Sequence, residues 1–324
     1  MGSVPRISAI IVNWNGAGDL ATCLPGLKEQ SVRPFEIIVV DNGSSDASKA
    51  TAQQQGVRWL PLERNHGYAP ALNRGAAAAV GNVLLFLNND MRFHCDFVHE
   101  LCGELMKDES VFAADALQYD WEGKEKVHLA TALSLKRLED GLTVETVPGL
   151  FIRQTAPEGP RPVLMASGAN IMVRKDMFEA LGGFDERMRA GHEDTDICWR
   201  AWMRGWKTIF VPSAVCWHRV SRSSRTMEGS AVRIRGTLEG RLIFATKLLP
   251  RRYAAAAWRN TVLGLVKDLL TFRWSRAGTR VQVLWGVSRC LPDLFRERRR
   301  LFDVAGRTSE DQMRRLLAMG ESGR

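Results

Sequence analysis

The chain has 324 residues, 45% apolar and 25% charged, a composition that excludes a disordered or collagen-like polypeptide. Its six cysteines form no CxxC pair, which argues against a disulfide framework or a zinc knuckle and fits a reduced, cytoplasmic setting. The net charge of +9 is unevenly placed: residues 1–218 hold 22 Lys and Arg against 27 Asp and Glu, and 219–324 hold 23 against 9.

The run Ile7–Val12 is short and β-branched and stops at Asn13-Trp14-Asn15-Gly16. It predicts a buried strand, too short to cross a membrane and without a signal-cleavage pattern. Leu20, Cys23, Leu24 and Leu27 predict a helix over 17–29. A second strand over 35–40 ends in Asp41-Asn42-Gly43-Ser44-Ser45-Asp46. A helix over 48–55, a short strand over 57–60 and an Ala-rich helix over 69–80 follow. The run Val83–Leu87 then meets Asn88-Asn89-Asp90. Strand–helix alternation of this kind predicts an α/β fold with a mostly parallel sheet covered by helices. Its strands end on one side, so Asp41 and Asp90 are expected in one cleft. Asn88-Asn89-Asp90 reads either as a polar turn or as a site for a hard cation.

Further on, a helix over 97–106 and a strand over 112–117 are predicted. The pattern weakens from Asp120 to Pro162, which reads as an irregular insertion or a loop over the cleft. Residues 163–173 predict a straight or bent strand, 174–181 a helix closed by Gly182-Gly183, and 192–204 a helix capped by Gly205. Two short strands, 208–211 and 215–217, flank Pro212. Trp199, Trp202 and Trp206 have helical spacing and read as core. Beyond His218 the texture turns to helical patterns rich in Arg.

Seven segments, in order, resemble family 2 glycosyltransferases with the GT-A fold, of the rhamnosyltransferase-like type. They are IIVNWN (10–15), FEIIVVDNGSSD (35–46), NHGYAPALNRG (65–75), LLFLNND (84–90), SGANIMVRKDMFEALGGFDE (167–186), HEDTDICWR (192–200) and VPSAVCWH (211–218). The resemblance covers roughly residues 5–225 and implies a catalytic domain over 1–225, followed by a basic helical region over 226–324.

It also implies an inverting transfer from a nucleoside-diphosphate sugar, dTDP- or UDP-linked and of the rhamnose type, to a hydroxyl of a glycan or polyprenyl-linked glycan. Asp90 stands where the family has the last carboxylate of its metal motif, although Asn88 replaces the first. With His218 it is the expected ligand of Mg²⁺ or Mn²⁺; His218 reads equally as a partner of the diphosphate or of a core carbonyl. Asp41 matches a nucleobase-binding carboxylate, with Asn13 and Asn15 in the same pocket or in turns. Gly67, Asn73 and Asn89 fall in segments that line the nucleotide. Ser167-Gly168 matches the wall beside sugar and acceptor. Asp194 matches the general base, with Glu193 as the fallback, and Asp196 reads as structural. Arg222 could offer a fork to the diphosphate or belong to a solvated loop.

The basic region carries stripes such as Leu242, Ile243, Leu248 and Leu249 beside Arg241, Lys247, Arg251 and Arg252. These read as interfacial helices on anionic lipid, placing the protein peripherally on the cytoplasmic face of the plasma membrane, or as helices packed on the catalytic part. No nucleic-acid recognition module is present. Two rival functions share these features: a non-catalytic nucleotide-sugar-binding protein of the same fold, and an adaptor acting through its basic tail.

Overall fold

A computed structural model describes residues 4–136, 143–189, 191–219 and 227–321, with side chains for all of these except 227–233 and 320–321. The first part alternates as expected: β1 (Ile7–Asn13), α1 (Ala17–Lys28), β2 (Glu36–Asp41), α2 (Ser48–Gln54), β3 (Arg58–Pro61), α3 (Tyr68–Ala78) and β4 (Val83–Asn88). Then come β5 (Met91–Phe93), α4 (Phe97–Lys107), β6 (Val111–Tyr119), β7 (Lys126–His128), β8 (Ala130–Ser134), β9 (Thr143–Val147), β10 (Leu150–Thr155), β11 (Arg161–Val163), β12 (Asn170–Arg174), α5 (Lys175–Ala180), α6 (Glu193–Met203) and β13 (Lys207–His218). Four helices close the chain: α7 (Met227–Leu248), α8 (Arg251–Leu270), α9 (Trp274–Ala305) and α10 (Ser309–Glu321).

The main sheet runs β11-β13-β6-β12-β4-β1-β2-β3. β3, β2, β1 and β4 are mutually parallel, and β6 and β13 run the same way on the far side of antiparallel β12. Alternate residues of β1 and β4 enter two cores. Ala9, Ile11, Leu85 and Leu87 pack under α1 and α4, while Ile10, Val12, Leu84 and Phe86 pack with α3 and α6. Burial on both faces is why these strands read as unbroken apolar runs.

Three expectations are corrected. The stretch 120–162 is not irregular among its described residues: it holds β7 and a separate three-stranded antiparallel sheet, β8-β10-β9. The strand expected over 163–173 is two strands, β11 and β12, with a loop between. The two short strands around Pro212 are one strand, β13, whose pairing with β6 shifts register between Val211 and Val215, so that Pro212 sits where no ladder bond is required.

The basic helices do not stand apart. Leu242, Ile243, Leu248 and Leu249, read either as a lipid-facing stripe or as packed on the catalytic part, take the second place: they are buried in a core shared with Trp199 and Met203 of α6 and with Leu133 and Leu150 of the small sheet. Trp199 and Phe244 meet edge to face at 5.4 Å. Lys247 is fully buried, 2.5 Å from Asp196 and 2.6 Å from Asp185. Arg298 caps the end of α7 through the carbonyl oxygens of Thr246, Lys247 and Leu249. The expected boundary at 225 falls in 220–226, outside the described residues.

Candidate active site

Strand register builds one wall. β1 pairs with β2 so that Asn13 lies beside Asp41, and with β4 so that Val12 lies beside Asn88. The buried Asn13 amide donates to Ser44 Oγ at 3.1 Å and to Asp41 Oδ1 at 3.4 Å, and its oxygen accepts from Asn89 Nδ2 at 2.7 Å. Asp41 also accepts the Ser44 N–H. Asn15, exposed at a φ of 51°, accepts the Ser45 N–H at 2.8 Å and so fixes the turn above β2. A Cβ at Gly67, where φ is 97°, would come within 2.8 Å of Arg189.

Asp90 follows β4, and the end of β13 lies against it. His218 Nε2 is 3.1 Å from Asp90 Oδ1 and 3.2 Å from Asn88 Nδ2. The Arg219 N–H donates to the Asp90 carbonyl at 3.0 Å. Its guanidinium pairs with Asp19 at 3.0 Å and lies 3.9 Å over the Trp121 ring. A carboxylate oxygen and an imidazole nitrogen so placed form a donor set that fits a divalent cation of borderline softness. Among the described residues these two belong to no group of three or more His, Cys, Asp or Glu side chains with metal-ligand spacing, so the other ligands of a cation here would be water or substrate oxygens.

The second wall comes from distant elements. The loop before β12 places Gly168 against the N-terminus of α6, where Gly168 N–H donates to Asp194 Oδ2 at 3.0 Å. The Thr195 N–H and hydroxyl bond Asp194 Oδ1 at 2.6 and 3.2 Å. Glu193 accepts the Gly191 N–H at 2.8 Å. A Cβ on Gly168 would stand 3.2 Å from Glu193 Oε1 and 3.3 Å from Asp194 Oδ2, so only glycine leaves both carboxyls unstrained. Burial, reinforced by the neighbouring Asp194, pushes Glu193 up to about 8. Burial also raises Asp194, against the hydrogen bonds that favour its charged form. At neutral pH the pair therefore shares its charge unequally: Glu193 holds a proton, and Asp194, with three donors, is the carboxylate.

Behind this wall lies a buried pair that sequence reasoning missed. His128 Nε2 is 2.8 Å from Asp115 Oδ2, and Asp115 Oδ1 accepts the Ser167 N–H at 3.1 Å. Burial acts to lower the His128 pKa, but Asp115 outweighs it and the net shift is upward. The cation so favoured holds Asp115 and adds its field to Asp194. A lone Asp inside the apolar run FAADAL was the available signal, since a buried charge needs a partner.

Tyr68 joins the two walls. Its hydroxyl lies 2.7 Å from Asn88 Oδ1 and 2.8 Å from the Gly168 carbonyl. Burial above all, with the negative charges of Asp194 and Asp90, keeps the phenol protonated, and therefore a donor. The sequence placed this residue in a nucleotide-flanking segment without giving it a role. Asn73 is placed elsewhere: its amide bonds both the N–H and the carbonyl of Phe184, as well as Glu186, and so clamps the loop after α5 instead of opening onto the cleft. Arg222 lies outside the described residues.

Residues 8–182 match the family described as glycosyl transferase family 2. The chain belongs to that family. Among its relatives is the N-acetylglucosaminyl-diphospho-decaprenol L-rhamnosyltransferase of Mycobacterium tuberculosis, 26% identical over 239 residues that cover 67% of this chain and 77% of that one. The amylovoran biosynthesis glycosyltransferase AmsB of Erwinia amylovora is 25% identical over 70% of this chain and 74% of its own. In fold, the transferase is similar to the mannosyltransferase PcManGT of Pyrobaculum calidifontis, solved with GDP-Man and Mn²⁺, with a TM-score of 0.55, 17% identity, and coverage of 98% of this chain and 86% of that one. It is also similar to GalNAc-T7, solved with UDP, GalNAc and Mn²⁺, with a TM-score of 0.58, 18% identity, and coverage of 76% of this chain and 48% of that one. The architecture is thus the GT-A fold. Among the described residues no helix is long and apolar enough to cross a membrane.

Proposed function

We propose that the protein is an inverting glycosyltransferase that moves a sugar, rhamnose by kinship, from a dTDP- or UDP-linked donor to a hydroxyl of a lipid-linked glycan. The observation that carries this reading is the run of polar contacts His218–Asn88–Tyr68–Gly168–Asp194, in which the Tyr68 hydroxyl offers its one proton to the Asn88 amide oxygen or the Gly168 carbonyl, and which brings the end of β4 and the start of α6 together. Kinship with a rhamnosyltransferase named for a decaprenol-linked acceptor supports the choice of substrates.

In this account Asp41 and Asn13 take the nucleobase side, and Asn89 and Gly67 line the nucleotide. Asp90 and His218 would hold a divalent cation, Mn²⁺ or Mg²⁺, which would supply positive charge against the diphosphate. Asp194 accepts the proton of the acceptor hydroxyl as that oxygen attacks the anomeric carbon. The bond to the diphosphate oxygen breaks on the opposite face, so one displacement inverts the anomeric centre. A raised pKa makes Asp194 a better base than an ordinary carboxylate. Neutral Glu193 leaves it the one carboxylate at that end of α6 without an ion-pair partner among the described residues, since Asp196 is paired with Lys247 and Arg200. Ser167 and Gly168 supply a wall with room for a pyranose, and Tyr68 holds that wall to β4.

The test is a screen of nucleotide-sugars and acceptors by mass spectrometry, run with the wild type and with Asp194→Asn. Transfer by the wild type, a loss of about 10²–10⁴-fold in the variant and undiminished nucleotide binding are expected. Nucleotide binding without transfer to any acceptor would favour a non-catalytic sugar-nucleotide binder.

A further inference from the structure

Residues 252–292 carry seven Lys or Arg and one acid, Asp268, which is buried and paired with Arg280 at 2.8 Å. α8 packs inward through Ala257, Thr261 and Asp268. On the opposite side of the helix, its second half presents Leu263, Val266 and Leu270 to solvent. The turn into α9 continues this face: Leu270 is 73% exposed, Phe272 75% and Trp274 64%. About three turns further along α9, Trp285 is exposed as well. Of the eighteen large apolar side chains exposed among the described residues, nine fall within 262–285. Scattered exposed apolar residues are ordinary; a concentration at one helical corner is not.

The turn itself is unusual. α8 ends in a paired motif, with the Arg273 N–H donating to the Asp268 carbonyl at 2.8 Å and the Phe272 N–H to the Leu269 carbonyl at 3.2 Å. Of these donors, Phe272 adopts a φ of 55°, where glycine is free and an aromatic residue is strained. The chain holds a phenylalanine there, with its ring in water. Exposed Lys267, Arg273 and Arg276 flank this corner.

We infer that the α8–α9 corner docks on an anionic phospholipid surface, with Phe272, Trp274 and Leu270 entering the acyl boundary and the basic collar meeting headgroups. The apolar side chains stand exposed at a turn between two helices, and aromatic residues flanked by basic ones suit the headgroup boundary. Long Lys and Arg stems let their charges stay at headgroup level. Charge decides against a second copy of the chain: a twofold contact through this face would set the like-charged collars against each other. The assignment differs from the stripe that composition suggested, since Leu242, Ile243, Leu248 and Leu249 lie in the core. It deepens the lipid-linked acceptor reading, on which its purpose rests, although docking is measurable without it.

The experiment is flotation of the full chain with vesicles of phosphatidylcholine containing phosphatidylglycerol, and with phosphatidylcholine alone. The wild type should bind the anionic vesicles at least tenfold more tightly, with affinity falling as salt rises. F272S/W274S and, separately, R273E/R276E should each lose tenfold or more. All four side chains are exposed, so the folded variants should keep the wild-type melting temperature and nucleotide affinity. Equal binding by wild type and both variants, or no binding to anionic vesicles, would overturn the inference. So would a dimer in sedimentation equilibrium that F272S/W274S dissolves without vesicles, since it would assign the corner to a second copy. Vesicle binding that obeys these rules alongside absent transfer to any lipid-linked acceptor would sink the catalytic reading and leave the docking corner standing.

Discussion

The two walls of the cleft are made differently. The strand-end wall is local: Asn13, Asp41 and Asn88–Asp90 sit at the ends of three adjacent parallel strands, and their side chains bond one another across the register. The wall that carries Asp194 is assembled from a loop, a helix N-terminus and a buried His–Asp pair, and it is braced from outside by α7. A Cβ on Gly240 of α7 would lie 2.3 Å from the Gly191 carbonyl, in the loop that opens α6. On the proposed roles, the difference implies that nucleotide recognition should need only the parallel sheet, whereas the base should need the C-terminal helices.

Lys247→Met should break that comparison most severely. It leaves Asp185 and Asp196 buried with Arg187 and Arg200 as their remaining cations, at a cost of about 3–5 kcal/mol, toward the lower end because those partners persist. Thermal unfolding measures the cost. In the folded fraction, transfer should drop while nucleotide affinity holds. A parallel loss of nucleotide affinity would mean that the two walls are not independent.

This bracing was hidden in the sequence. Lys247 looks like any tail cation, and its partners lie 51 and 62 positions away. The strands β1, β2 and β4 were legible because burial on both faces leaves unbroken apolar runs that stop at polar ends. The small sheet was not, because Glu145 and Arg153 interrupt short, half-exposed strands whose pairing supplies most of their order. Antiparallel β12 gave no sign of its direction. Asp194 was legible from its motif, but its protonation balance with Glu193 required the burial that only packing reveals.

Gly168→Ala comes next in size. The added methyl would crowd both carboxyls at 3.2–3.3 Å, and a shift of the base by a few tenths of an ångström should lower kcat about tenfold with little change in donor affinity. Steady-state kinetics with donor and acceptor varied separately distinguish this from a folding defect, which would leave kcat per folded molecule intact.

Glu193→Gln sharpens the comparison most gently. The folded-state pKa of about 8 exceeds the ordinary value of 4.5, so between these values the native protein keeps a proton that the unfolded chain has released. The stability contributed by this group is complete at low pH and is lost as pH rises through about 8. The variant lacks that slope, so its melting temperature should gain on the wild type from pH 5 to pH 8.5, with kcat at neutral pH changed little. A constant difference across that range would place the proton elsewhere.

The most direct test of the central claim, a single displacement with one ionised base at Asp194, is the anomeric configuration of the product, read by proton NMR before mutarotation or on the intact glycoside. The account predicts configuration opposite to that of the donor. Retention would require a second displacement, and would contradict it.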